Sequence, residues 1–290
     1  MKCEDTMPSI INRLPDFARE PIEKMSWNFR KTTASKRVKP DFIIIGAQKA
    51  GTTSLFYYLS QHPHLKPSFK KEVHYFDGGL NPDVETFKKG DLWYRAHFHL
   101  KGPGSNHKAF EASPSYIFNP NVPERISEYV PGVKLIALLR DPVERALSQY
   151  FHEKRLGFEY LPLMEAVINE EKRLNSVLEI KDYKSEAYIH YTYKKRGLYK
   201  EQLERYLKYF PSSHILTLKS NDLFKKPQAT LAKVFDFLGV DSDLKIKDIR
   251  PRKVAGNKTE VDSIVRNYLK DYFKSHNEDL YDLIGEDFGW

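Results

Sequence analysis

Two kinds of segment alternate along this 290-residue chain. Short apolar-rich stretches lie at 42–45, 108–112, 134–139 and 214–218, the first of them the unbroken run Phe42-Ile43-Ile44-Ile45. Runs of this length and branching fit strands buried on both faces of a parallel sheet. Between them, apolar residues recur every three or four positions. That spacing predicts helices from 52 to the His62-Pro63 step, and over 85–100, 123–130, 142–156, 161–174, 197–210, 227–238 and 261–273. Strands alternating with helices predict an α/β fold of three layers, a central parallel sheet flanked by helices. The domain runs over 39–290. Residues 1–38, polar and interrupted by Pro8, Pro15 and Pro21, form an N-terminal extension with a short helix over 17–29 that covers the domain or stays mobile.

The first strand runs into the stretch GAQKAGTTS, in which Gly46 and Gly51 bracket a turn and Thr52, Thr53 and Ser54 open a helix. Helix starts expose unpaired N–H groups and a partial positive charge, so this turn can hold a phosphate-like anion. The Gly46–Gly51 spacing equals that of a nucleotide-binding P-loop, yet the lysine is Lys49, inside the loop, and Thr52 stands where a P-loop has its lysine. At the ends of other strands lie the segment Ala112-Ser113-Pro114-Ser115-Tyr116 and the trio Arg140-Asp141-Pro142. Ligands of open parallel sheets bind beyond the carboxyl ends of the strands, where these three motifs converge.

Composition narrows the partners. The net charge is +8 and the isoelectric point about 9.2, which suits an anionic cofactor, a polyanionic glycan, anionic lipid or nucleic acid. Zinc-finger spacing and an aromatic RNA-binding signature are missing, so nucleic acid is not expected. The sequence contains no apolar run long enough to span a bilayer and no signal-peptide core. Cys3 is the single cysteine, which excludes intrachain disulfides and is uninformative about metals. Trp93, Tyr94 and Phe98 read as core before they read as a substrate platform.

A Walker-type kinase or nucleotidase needs a lysine at the helix start and an acidic residue at another strand end. Lys49 is displaced and the third strand ends in Arg140; Asp141, beside Pro142, reads as a helix cap. Arg140 with Ser148, eight residues into the next helix, makes a second anion pocket, or else Arg140 pairs locally with Asp141 or Glu144. Two anion pockets suit a doubly charged nucleotide donor. Glu72, taken alone, is one more charge beside Lys70 and Lys71.

The loop GAQKAGTTSL, the segment KEVHYFD, the strand end LLRDPVERALSQY and the later RGLYKEQLERYLKYFP resemble the PAPS-dependent sulfotransferases, closest to the branch acting on glycosaminoglycans (heparan sulfate N- and 3-O-sulfotransferases). The likeness covers 40–238, with a weaker continuation to 290. It implies a P-loop-like fold and 3′-phosphoadenosine 5′-phosphosulfate (PAPS) as donor, with 3′,5′-ADP as product and no metal. It implies that Lys49, Ala50, Gly51, Thr52, Thr53 and Ser54 cradle the phosphosulfate and that Arg140, Ser148 and Tyr199 bind the nucleotide. A basic loop with Arg252, Lys253, Asn257 and Lys258 would close over it.

The resemblance further implies Glu72 as general base and His74 as its neighbour, with Lys49 offsetting charge on the leaving group. Lys71, Asp77, Glu111 and Ser113 would face a carbohydrate acceptor. The chain departs from the branch in two places. The residue after Glu111 is Ala112 instead of lysine, and the C-terminal disulfide is absent. Without a membrane anchor, a cytoplasmic bacterial relative or an excised catalytic domain is expected. Lys66, Lys70, Lys71, Lys88, Lys89 and Arg95 are expected near the cleft. A small-metabolite or lipid sulfotransferase, a P-loop kinase and a non-catalytic polyanion-binding protein are the competing readings.

Overall fold

The computed structural model describes residues 16–104, 106–252 and 260–290. Five strands, β1 (Phe42–Gly46), β2 (Leu65–Pro67), β3 (Lys108–Ala112), β4 (Lys134–Leu139) and β5 (Ile215–Lys219), form one sheet in the order β2-β3-β1-β4-β5. Every pairing is parallel. All five residues of β1 are buried, so its run carries no polar alternation. The register of β1 against β4 slips between Ile44 and Gly46, where the strand gives way to its loop. The chain leaves β1 toward β2 on one side and leaves β4 toward β5 on the other. Loops that diverge in this way open a crevice at the carboxyl ends of the strands.

Helices α1 (Asp16–Thr32), α2 (Thr52–Leu59), α3 (Gly90–Arg95), α4 (Val122–Tyr129), α5 (Pro142–Leu156), α6 (Leu163–Ile168), α7 (Glu170–Glu179), α8 (Glu186–His190), α9 (Tyr199–Leu207), α10 (Ser220–Lys225), α11 (Pro227–Leu238) and α12 (Ser263–Ile284) flank the sheet. The limits of α5 follow from its punctuation. Asp141 caps it, its Oδ1 accepting from the N–H of Val143 at 2.8 Å, Pro142 fills the first turn and Gly157 ends it in the left-handed region. α2 packs on β1, β2 and β3, while α12 lies against α5 and α9.

Several expected elements differ. The helix over 85–100 is confined to α3 and a single turn at Phe87–Lys89, because Gly90 takes φ 79° between them. The aromatic spacing that suggested it reflects packing: Tyr94 and Phe98 are fully buried, and Tyr75 stacks on Tyr94 at 4.5 Å. The helix over 161–174 is two helices, α6 and α7, and α12 continues eleven residues past 273, to Ile284. β2, α8 and α10 were not anticipated. Helix α1 lies on the domain: Trp27 stacks over Phe69 at 6.4 Å, and Arg30 donates to the carbonyls of Ala96 and Phe98.

Candidate active site

One cleft of about 920 Å³ opens at the carboxyl ends of the strands. Its floor is the turn between β1 and α2. Gly46 is required by close approach, since a Cβ there would stand 2.4 Å from Cγ2 of Ile117. Gly51 is required by conformation, at φ 100°. No side chain of the N-cap residue bonds the start of α2, in contrast to α5 and α12, and Gly51, Thr52 and Thr53 at that start line the cleft. An open helix start of this kind attracts an anion.

Lys49, Ala50, Gly51, Thr52, Thr53, Arg140, Ser148 and Arg252 all line this cleft, as the sequence suggests. Arg140 lines the cleft with Ser148 and also lies near Glu144, the local partner that was weighed for it. It donates to the Lys49 carbonyl at 3.0 Å and lies 3.9 Å from the Glu144 carboxylate. Asp141 is spent as a cap. Burial, and then the nearby guanidinium groups of Arg155, Arg140 and Arg145, bring the Lys49 ammonium down to about 8, against the attraction of Glu153. A buried lysine crowded by guanidinium groups fits an anionic ligand.

Two predicted nucleotide residues are placed behind this lining. Ser54 is buried and its hydroxyl accepts from the N–H of Arg252 at 2.9 Å. Tyr199 is buried and donates to the carbonyl of Arg140 at 2.9 Å, which makes it a strut for Arg140. Lys253, Asn257 and Lys258 lie outside the described residues. The cleft is also lined by His152, Arg155, Arg196, Phe224 and Trp290, which sequence reasoning missed. Ser148, His152 and Arg155 recur at helical spacing along α5, a signal that was available. Phe224 and Trp290 are brought in by distant elements, and nothing local announces them.

The opposite wall carries Glu72 and His74. His74 Nδ1 lies 2.7 Å from Asp77 Oδ2, and Ser115 donates to the same oxygen at 2.5 Å. His74 Nε2 points at Glu72 Oε2 from 3.8 Å, while the Lys71 ammonium holds Glu72 Oε1. Burial favours the neutral carboxyl of Glu72, yet the facing His74 ring and Lys71 outweigh it and hold the group well below the usual carboxylate range. Burial also favours neutral His74, and Asp77 and then Glu72 overcome it, so the imidazole is raised and charged.

Among the described residues, Lys49, Glu72 and His74 have φ of 70°, 62° and 52°. Lys181 alone shares this left-handed region among the other non-glycine residues described. Strain held by surrounding structure concentrates at working sites, and these are three cleft residues.

The expected acceptor-facing residues need correction. Glu111 and Ser113 are wholly buried and do not line the cleft. Glu111 accepts from Tyr94 at 2.6 Å, Ser113 at 2.8 Å and Tyr116 at 3.1 Å, and burial, opposed by these bonds, pushes its carboxyl up to about 7. Lys71 and Asp77 reach the cleft only through Glu72 and His74. Lys66, Lys70, Lys88, Lys89 and Arg95 are not part of its lining. Lys89 sits 4.9 Å over the Trp93 ring, and Arg95 is bound to the carbonyls of Arg37 and Ser35.

Comparison with known proteins agrees with this geometry. The chain is 29% identical over 87% of its length to the membrane-associated sulfotransferase kil1 of Dictyostelium discoideum, spanning 66% of that protein. It is 27% identical over 84% of its length to the bifunctional heparan sulfate N-deacetylase/N-sulfotransferase 2 of Bos taurus, of which it spans only 29%. The crystal structure of a sulfotransferase from Alicyclobacillus acidocaldarius superimposes with a TM-score of 0.69 at 28% identity, covering 87% of this chain and 98% of that one. Among the described residues no helix is long and apolar enough to cross a membrane. With one relative named membrane-associated, the expected cytoplasmic location has no support. The family model of the sulfotransferase domain matches residues 39–285, and the chain belongs to that family of transferases.

Proposed function

We propose that this sulfotransferase moves the sulfuryl group of PAPS to a hydroxyl or amino group of a carbohydrate acceptor of the heparosan or heparan kind, releasing 3′,5′-ADP. The observation that carries the reading is that one cleft joins an open helix start and a cation cluster on one wall to Glu72 and His74 on the other. Residues 39–290 form the catalytic domain in this reading, and 1–38 an extension that covers it. The acceptor class is supported by a relative named for heparan sulfate.

The donor set fits a doubly anionic nucleotide. Lys49, Thr52, Thr53 and the first N–H groups of α2 would hold the phosphosulfate, and Arg140 with Ser148 the 3′-phosphate. PAPS supplies an activated sulfuryl group for in-line displacement. Glu72, ionised across the physiological range, accepts the proton that the acceptor loses as it attacks, a role worth on the order of 10²–10⁴ in rate. His74, fixed by Asp77, orients that carboxylate. Lys49 offsets negative charge as it grows on the leaving oxygen.

Labelled PAPS incubated with unsulfated glycans and small alcohols, with EDTA present, tests the reading. Transfer to a glycan that Glu72→Gln abolishes is expected. Transfer to small alcohols alone assigns a metabolite acceptor instead, and no transfer to any acceptor overturns the proposal. Wild-type transfer that Glu72→Gln matches removes only the base.

A further inference from the structure

The left-handed backbone at Glu72 and His74 is held from behind by a buried group of hydroxyls. The His74 N–H donates to Ser113 Oγ at 3.1 Å, and the N–H groups of Tyr75 and Phe76 donate to the Tyr116 hydroxyl at 2.8 and 3.3 Å. Each of these hydroxyls has a single proton, and both protons are turned to Glu111. Tyr94 donates a third to it. The Glu72 N–H is held by the carbonyl of Ala112, the next residue of the same strand end, at 2.9 Å.

We infer that Glu111 is a positioning residue for the reaction. As an acceptor-only carboxylate it fixes the polarity of the Ser113 and Tyr116 hydroxyls, so that their lone pairs hold the backbone of residues 74–76 and with it the turn carrying Glu72 and His74. A hydroxyl offers one donor and two acceptor sites, whereas an ionised carboxylate offers acceptors alone. Facing Glu111, therefore, each hydroxyl has one arrangement that leaves nothing buried unpaired. An amide at 111 has nearly the same shape but brings two donors. One hydroxyl must then accept from it and turn its proton away, and a buried donor is left without a partner. This places Glu111 outside acceptor contact and makes it a determinant of where the base stands. The inference rests on the reading of Glu72 and His74 as the reacting pair.

The test compares Glu111→Gln, Glu111→Asp and Ser113→Ala with wild type at pH 8, above the Glu111 value of about 7. Three readouts apply: kcat at saturating PAPS, calorimetric affinity for 3′,5′-ADP, and the His74 ring signals in histidine-labelled NMR spectra, assigned by their loss in His74→Gln. Glu111→Gln is expected to lower kcat on the order of 10²-fold, as for a misplacement of about 1 Å, to leave 3′,5′-ADP affinity unchanged and to shift the His74 signals. Glu111→Asp recovers part of the rate, and Ser113→Ala, which removes both the acceptor of the His74 N–H and a donor to Glu111, moves the same readouts in the same direction. Wild-type kcat and His74 signals in Glu111→Gln overturn the inference. So does a loss of 3′,5′-ADP affinity parallel to the loss of rate, because that marks general destabilisation. If no acceptor is turned over by wild type, the NMR arm decides alone: unshifted His74 signals overturn the inference, and shifted ones uphold the positioning of His74.

Discussion

Arg140 donates to the backbone carbonyl of Lys49 at 3.0 Å, tying the end of β4 to the anion loop that follows β1. The same guanidinium lines the cleft, so in the proposed reading it both shapes the loop and presents charge to the nucleotide. Lysine at this position keeps the charge but loses the planar fork that serves both partners. Arg140→Lys is expected to weaken 3′,5′-ADP binding by about 10- to 100-fold, the range of a charge-assisted hydrogen bond worth about 1.5–3 kcal/mol. 5′-AMP, which lacks the 3′-phosphate, should lose much less. Calorimetry at fixed salt reads both affinities, and an equal loss for the two nucleotides would leave Arg140 a role in the loop alone.

The Lys49 ammonium, lowered to about 8 by burial and by its cationic neighbours, loses its proton as pH rises through that value. A bound anion favours the charged form, so the complex keeps the proton to higher pH. The sign follows: 3′,5′-ADP binding takes up a proton near pH 8, and affinity falls above pH 8 by up to about tenfold per unit. Calorimetry in buffers of different ionisation enthalpy measures the uptake. Lys49→Met should abolish it, and an affinity constant flat from pH 7 to 10 would contradict the assignment.

Lys71 and His74 hold the Glu72 carboxyl below its ordinary range against the opposing effect of burial. A depressed carboxyl stays ionised, and able to accept a proton, down to low pH. Lys71→Met removes one of the two charges and leaves the desolvation, so the Glu72 pKa must rise. The acid limb of kcat/KM is expected to move upward by a unit or more, on the order of what an adjacent opposite charge is worth, while the limb set by Lys49 stays in place. An unmoved acid limb would mean that another group controls it.

Elements with their own punctuation were readable from sequence alone. β4, α5 and α11 have the expected limits because Pro142 and Pro227 open the helices, Gly157 and Gly239 close them, and residues 135–139 are an uninterrupted buried apolar run. β2 has three residues, one a proline, and exists because it pairs with β3. That Lys49 to Thr53 and Arg140 would line the cleft was legible for the same reason as α5, since they sit at strand ends and a helix start. Phe224 and Arg196 reach the cleft through tertiary folding. Glu111 was misplaced because sequence shows a carboxylate at a strand end without showing the three hydroxyls that enclose it.

The two glycines that bracket the anion loop should fail differently. At Gly46 an added Cβ meets Cγ2 of Ile117 at 2.4 Å and the Pro114 carbonyl at 3.0 Å. Gly46→Ala therefore overpacks the floor of the site, at a cost of about 1–3 kcal/mol. At Gly51 the Cβ meets the Phe224 ring at 2.7 Å, and φ of 100° adds a backbone cost of about 1–2 kcal/mol for any L side chain. Leucine is shorter than the Phe224 ring, so Gly51→Ala/Phe224→Leu should remove the contact and keep the backbone cost. Thermal unfolding is expected to rank wild type above the double variant and the double variant above Gly51→Ala. 3′,5′-ADP affinity should stay depressed in both Gly51 variants, because the first N–H groups of α2 turn with the loop. Wild-type affinity in the double variant would show that Gly51 serves only to make room for Phe224.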